Sequence, residues 1–120
     1  VLDRREIEQF SILAQELGME VLLEVHNQEE LYKSIMPSLN MIGVNNRNLK
    51  TFKVNLETSI ILSTLIPDEF VKISESGIRS VEDIKSLQPY GYKGFLIGEN
   101  FMITENPGTA AADFIKLLNA

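Results

Sequence analysis

Residues 41–48 read Met41-Ile42-Gly43-Val44-Asn45-Asn46-Arg47-Asn48. Residues 41–44 suit a strand covered on both faces. Within one position the chain then turns into asparagine and arginine. A buried strand ending so abruptly leads either into an ordinary turn or onto the rim of an active site. The choice depends on whether the same break occurs elsewhere.

It occurs in three further places. Residues 21–25 form an apolar run interrupted by Glu24 and followed by His26, residues 70–74 lead into Glu75-Ser76-Gly77, and residues 94–98 end at Gly98-Glu99-Asn100. Between these runs lie helical patterns. Ile7, Phe10, Ala14 and Leu17 recur at helical spacing before Gly18, which supplies a stop. Asn27 and Glu30 have capping-box spacing ahead of Leu31 and Ile35, and Pro37 closes that helix. Leu56, Ile60 and Ile61, with Leu65, mark a helix ending before Pro67. Ser80 and Asp83 repeat the capping-box spacing before Val81, Ile84 and Leu87. Asn106 as N-cap and Pro107 at the first helical position predict a last helix with Ala111, Phe114, Ile115 and Leu118 on its buried stripe.

One helix followed by four strand–helix units makes an α/β chain with a parallel sheet. The connections alone allow an open doubly wound sheet or half of an eight-unit barrel. Both place their chemistry at strand C-termini, where the polar residues gather here.

The 120 residues suffice for a single domain over 1–120, and 44% hydrophobic with 23% charged residues is the composition of a folded soluble protein. No apolar run reaches the roughly 20 residues of a membrane span, and no signal-peptide pattern is visible. The absence of cysteine excludes disulfides and thiolate metal sites and suits the cytoplasm. A net charge of −6 argues against nonspecific nucleic-acid binding. The chain begins at Val1 already in helical spacing, so an upstream continuation is expected.

Glu24, inside an apolar strand, is either an edge carboxylate in water or an inward-facing acid–base group whose proton affinity burial would raise. Glu75 repeats the arrangement at the end of another strand. Glycines at strand–loop junctions, in Ser76-Gly77 and Gly98-Glu99, would let backbone N–H groups approach an anion such as phosphate. The alternative there is a glycine required only by a turn. His26, the one histidine, reads as a loop residue, with no carboxylate cluster at metal-ligand spacing. Lys50 and Lys53 read as a solvated loop.

Four segments in this order, LEVHNQEEL (23–31), IGVNNRNLKTF (42–52), SESGI (74–78) and FLIGENFM (95–102), resemble the C-terminal half of indole-3-glycerol-phosphate synthase. The likeness extends over residues 17–118. It implies strands five to eight of a (β/α)8 barrel, a parallel (βα)4 half preceded by one helix. It also implies a carbon–carbon lyase of tryptophan biosynthesis that closes the ring of 1-(2-carboxyphenylamino)-1-deoxyribulose 5-phosphate with loss of carbon dioxide and water. No cofactor and no metal is expected. By the same resemblance Glu24, Asn45 and Glu75 are the catalytic residues, while Arg47, Ser76, Gly77, Gly98 and Glu99 bind the anionic, phosphorylated substrate.

The family's first-strand E-x-K motif and its third-strand lysine have no counterpart here, and Lys33, Lys50, Lys53 and Lys72 lie in no matching motif. The chain alone is therefore expected to be inactive. Its two sheet edges and barrel-interior side chains should be exposed, so that it pairs with an N-terminal half-barrel or with itself as a homodimer. Two alternatives are another phosphate-binding barrel enzyme, such as phosphoribosylanthranilate isomerase, and a non-catalytic half-barrel binding module.

Overall fold

The computed structural model describes residues 3–36, 38–97, 100–103 and 114–118. Helix α1 (Arg4–Glu16) starts from a full capping box: the Asp3 carboxylate accepts the Glu6 N–H, and the Glu6 carboxylate accepts the Asp3 N–H. There follow β1 (Glu20–Val25), α2 (Gln28–Ser34), β2 (Met41–Asn45), α3 (Glu57–Ser63), β3 (Val71–Glu75), α4 (Val81–Leu87) and β4 (Tyr92–Ile97). Asn27 and Ser80 cap α2 and α4, as their spacing predicts.

Strands β1 to β4 pair in parallel and in sequence order. Every helix contributes to one apolar cluster, with Ile7 and Ala14 from α1, Leu31 from α2, Leu62 from α3 and Leu87 from α4. The same cluster contains Val21, Leu23 and Val25 of β1, Ile42 and Val44 of β2, and Tyr92 and Phe95 of β4. Burying each such aliphatic side chain contributes about 1.5–3 kcal/mol. Helices therefore cover one face of the sheet only. A doubly wound sheet needs them on both, so this arrangement is half of a (β/α)8 barrel.

Alternation along the strands assigns the opposite face to Leu22, Met41 and Ile73, a second small apolar cluster. These side chains were expected to meet water, yet all three are buried. The edges also differ from expectation. β5 (Asn100–Ile103) folds back antiparallel on β4, and β6 (Phe114–Leu118) pairs in parallel with β1, giving the order β5-β4-β3-β2-β1-β6. The outer edges of the four-strand set are thus covered by the chain's own backbone.

The predicted last helix is corrected by this pairing, because residues 114–118 are strand; Asn106, Pro107 and Ala111 lie outside the described residues. A short apolar run suits strand and helix equally well by periodicity. Here the unpaired backbone of β1 offers it ladder partners. Two helix stripes also shift. In α1 the buried line is Ile7, Ser11 and Ala14, leaving Phe10, Leu13 and Leu17 exposed. In α3 it is Ser59, Leu62 and Ser63, with Ile61 outside.

Ser59 and Ser74 are buried in a closed ring of hydrogen bonds at the C-terminal ends of β2 and β3. The Asn46 Nδ2 donates to Ser74 Oγ at 3.0 Å, Ser74 and Ser59 hydroxyls meet at 2.7 Å, and Ser59 Oγ donates to Asn46 Oδ1 at 2.7 Å. The Ser59 N–H also donates to Asn46 Oδ1 at 3.1 Å, and Asn46 Nδ2 to the Ser76 carbonyl at 3.1 Å. The Tyr92 hydroxyl donates to the Ser59 carbonyl. Both polar atoms of the Asn46 amide are thereby satisfied within the protein, as burial requires.

Replacing Asn46 with alanine should destabilise the protein by about 2–4 kcal/mol in urea unfolding, since the Ser59 N–H and Ser76 carbonyl both lose a partner. Asn45→Ala should cost about 1 kcal/mol or less. Burial pushes the Tyr92 phenol well above its ordinary value. The folded protein then holds this proton after the unfolded chain has lost it. Stability contributed by Tyr92 should be complete below about pH 10 and fall above it. Urea unfolding of Tyr92→Phe should show a shallower alkaline loss.

Candidate active site

The alternation that buries Leu22, Met41 and Ile73 continues upward to Glu24, Asn45 and Glu75 on the same face. Asn45 lies opposite Glu75 in the β2–β3 register, and Glu24 opposite Gly43 in β1–β2. Glu24 and Glu75 are buried, which rules out the edge-carboxylate reading of Glu24. Together with Arg47, Ser76, Gly77 and Leu96 they line a cavity of about 390 Å³. Six of the eight expected site residues thus converge on one cavity; Gly98 and Glu99 lie outside the described residues.

Asn45 is held through its amide oxygen. Its Oδ1 accepts the Ser76 hydroxyl at 2.7 Å and the Arg47 N–H at 3.0 Å. Adjacent Asn46 points the other way, into the ring on the helix face. Asn48 shapes the following loop, its Oδ1 accepting the N–H groups of Lys50 and Thr51 at 2.8 and 3.1 Å. The polar run that ends β2 therefore contains a cavity residue, a core residue and a turn residue. Arg47 is exposed, and its backbone bridges to Val54. It is the one cation lining the smaller cavity among the described residues.

At the end of β3 the backbone takes two successive left-handed residues, Ser76 at φ 70° and Gly77 at φ 80°. A non-glycine residue there stores strain of the kind concentrated at functional sites. Gly77 is required twice over. Its φ suits glycine, and a Cβ would stand 2.4 Å from Val54 Cγ1. This tight junction brings the backbone beside the cavity where the sequence predicts an anion contact.

His26 lies in the loop between β1 and α2, as its sequence context predicts. Its ring lies 3.4 Å from Glu24 Oε2 through Nε2 and 3.0 Å from Glu30 Oε1 through Nδ1. The Glu30 carboxylate, expected to reach the Asn27 backbone, instead accepts the His26 N–H at 2.8 Å. A second cavity of about 600 Å³ adjoins, lined by His26, Asn27, Glu30, Asn45, Arg47 and the loop to Thr58. Lys50 and Lys53 are exposed in that loop, as predicted. Among the described residues no group of three or more His, Asp or Glu side chains could hold a metal ion.

Strands β1 to β4, parallel and singly wound, with carboxylates and amides gathered on the inner face at their C-termini, have the architecture of half of a (β/α)8 barrel. Sequence comparison narrows that class. A family model described as indole-3-glycerol phosphate synthase matches residues 1–114. The indole-3-glycerol phosphate synthase of Bacteroides thetaiotaomicron is 44% identical over 117 residues, covering 98% of this chain and 45% of the relative. That of Chromobacterium violaceum is 45% identical over 109 residues, 91% of this chain and 41% of the relative. The protein belongs to the indole-3-glycerol phosphate synthase family, and spans less than half the length of these curated relatives.

Replacing Gly77 with alanine should cost roughly 2–4 kcal/mol, combining the left-handed penalty with a clash against Val54. Gly18→Ala, at φ 76° with no atom within 4 Å of the new Cβ, should cost only about 1–2 kcal/mol. Thermal unfolding of the two variants separates the contributions.

Proposed function

We propose that the chain is the C-terminal half of an indole-3-glycerol phosphate synthase barrel and supplies one wall of its active site. The observation that carries this reading is the convergence of Glu24, Asn45 and Glu75 on one cavity beside the Ser76-Gly77 junction. The substrate would be 1-(2-carboxyphenylamino)-1-deoxyribulose 5-phosphate, and ring closure would release carbon dioxide and water. Glu24, desolvated on the inner face, is suited to move protons during the dehydration. Asn45 donates and accepts without titrating, so it can orient the reacting part of the substrate. Glu75 stands opposite Asn45 and completes the polar row. The left-handed turn at Ser76 and Gly77 is suited to the phosphate, together with Gly98 and Glu99, and Arg47 to the substrate's other anionic end. The reaction calls on no metal or organic cofactor and would run in the cytoplasm.

This wall cannot complete the reaction alone. Closing the ring develops charge on a substrate bearing both phosphate and carboxylate, whereas the cavity offers, among the described residues, two carboxylates and a single exposed cation. The donors that stabilise the transition state must come from another half-barrel. The exposed stripe Phe10, Leu13 and Leu17 on α1 favours such a partner, because apolar rows of this kind mark association surfaces. That partner is an N-terminal half-barrel, with a second copy of the chain as the competing arrangement. Covered outer strand edges favour a second reading, a self-contained module that binds a phosphorylated ligand without turning it over.

Mixing the chain with an N-terminal half-barrel and assaying indoleglycerol phosphate separates these readings. Activity should appear only in the mixture and fall about 10²–10⁴-fold with Glu24→Gln. Turnover by the chain alone would contradict the proposal, and an inert mixture that still binds substrate would favour the module.

A further inference from the structure

His26 occupies the wall between the two cavities. Glu24 lines the smaller, Glu30 lines the larger, and His26 lines the larger while reaching Glu24 through Nε2. Side-chain exposure rises along this line from 7% at Glu24 through 14% at His26 to 23% at Glu30. The ring is fixed from behind, because the same Glu30 oxygen that faces Nδ1 also accepts the His26 backbone N–H.

A neutral imidazole carries one N–H, so it can donate to only one of two flanking carboxylates at a time. With the proton on Nδ1, the ring donates to Glu30 and turns the Nε2 lone pair toward Glu24. With the proton on Nε2, it donates to Glu24 and turns the Nδ1 lone pair toward Glu30. A proton leaving the Glu24 carboxyl for Nε2, as the Nδ1 proton passes to the Glu30 carboxylate, leaves the ring neutral. One proton has then moved from the smaller cavity to the larger, and the reverse step reloads Glu24. Among the described residues the other charged groups lining the two cavities are Glu75 in the smaller, Lys50 and Lys53 in the larger, and Arg47 in both.

We propose that His26 is a positioning residue for Glu24, coupling its protonation through Glu30 to the solvent of the larger cavity. This rests on the reading of Glu24 as the group that moves protons. The 3.4 Å between Nε2 and Glu24 exceeds a formed hydrogen bond, and such contacts commonly tighten when substrate binds.

Two measurements test it. The first needs no activity: ring ¹⁵N shifts of His26 in the chain itself, at a pH where the ring is neutral. Glu24→Ala should drive the proton to Nδ1 and Glu30→Ala should drive it to Nε2, opposite displacements from the unmodified protein. Unchanged shifts in both variants, or displacements in the same direction, overturn the proposal. The second uses the enzyme reconstituted from two half-barrels. His26→Gln should lower kcat about 10–100-fold with KM changed less than about threefold, and added imidazole should restore part of the loss. A His26→Gln enzyme that loses only KM or stability, without imidazole rescue, also overturns it. If the unmodified mixture is inert, the synthase reading fails while the ring shifts still decide the His26 coupling.

Discussion

The ring of hydrogen bonds through Asn46, Ser74 and Ser59 is the constraint on which the rest of the site depends. It joins β2, β3 and α3 at the level where the strands end, and Tyr92 extends it to β4. Because strand side chains alternate, committing Asn46 and Ser74 to the helix face commits Asn45 and Glu75 to the opposite one. A slip of one residue in β2 would bury Asn45 among aliphatic side chains and turn Asn46 toward the cavity. The apolar contacts of the core are compatible with many small shifts. A buried amide satisfied by four partners is compatible with very few.

This anchoring explains how a stretch dense in asparagines yields a defined site. Asn45, Asn46 and Asn48 have identical chemistry and different duties, assigned by position in the pleat and the turn. The loop they start is tied back on itself, since the Asn55 N–H donates to the Asn46 carbonyl at 3.0 Å and the Asn48 N–H to the Lys53 carbonyl at 2.8 Å. That closure keeps Arg47 beside Asn45, where both line the two cavities.

Much of this was legible in the sequence. The four parallel strands, helices α1 to α4 and the caps at Asn27 and Ser80 follow from local rules, periodicity and capping chemistry, whereas the last strand–helix unit does not hold. The inward direction of Glu24 is one of two readings, and the role of Asn45 comes with the family resemblance. What escaped depends on contacts between distant residues. Asn46 meets partners 13 and 28 positions away, so nothing adjacent marked it as core. Ser59 and Ser63 are buried because their hydroxyls are satisfied, Ser63 by the Ile60 carbonyl at 2.6 Å, and hydrophobic spacing alone assigned the α3 stripe to Ile61 instead. His26 reads as a loop residue and lies in the β1–α2 loop, but its contacts with Glu24 and Glu30, two and four positions away, depend on how that loop turns. Reading Glu30 only as a capping-box acid concealed its reach to the imidazole. Residues 114–118 took the strand conformation that β1 could pair with, a tertiary choice no local pattern records.

The most direct test of the account is an NMR assignment of the Asn45 and Asn46 side-chain amides. Asn46 should show strong contacts to Ser59 and Ser74 and slow hydrogen exchange, while Asn45 should contact Ser76 and exchange quickly. The reverse pattern would place Asn46 in the cavity and contradict the register on which the whole site is built.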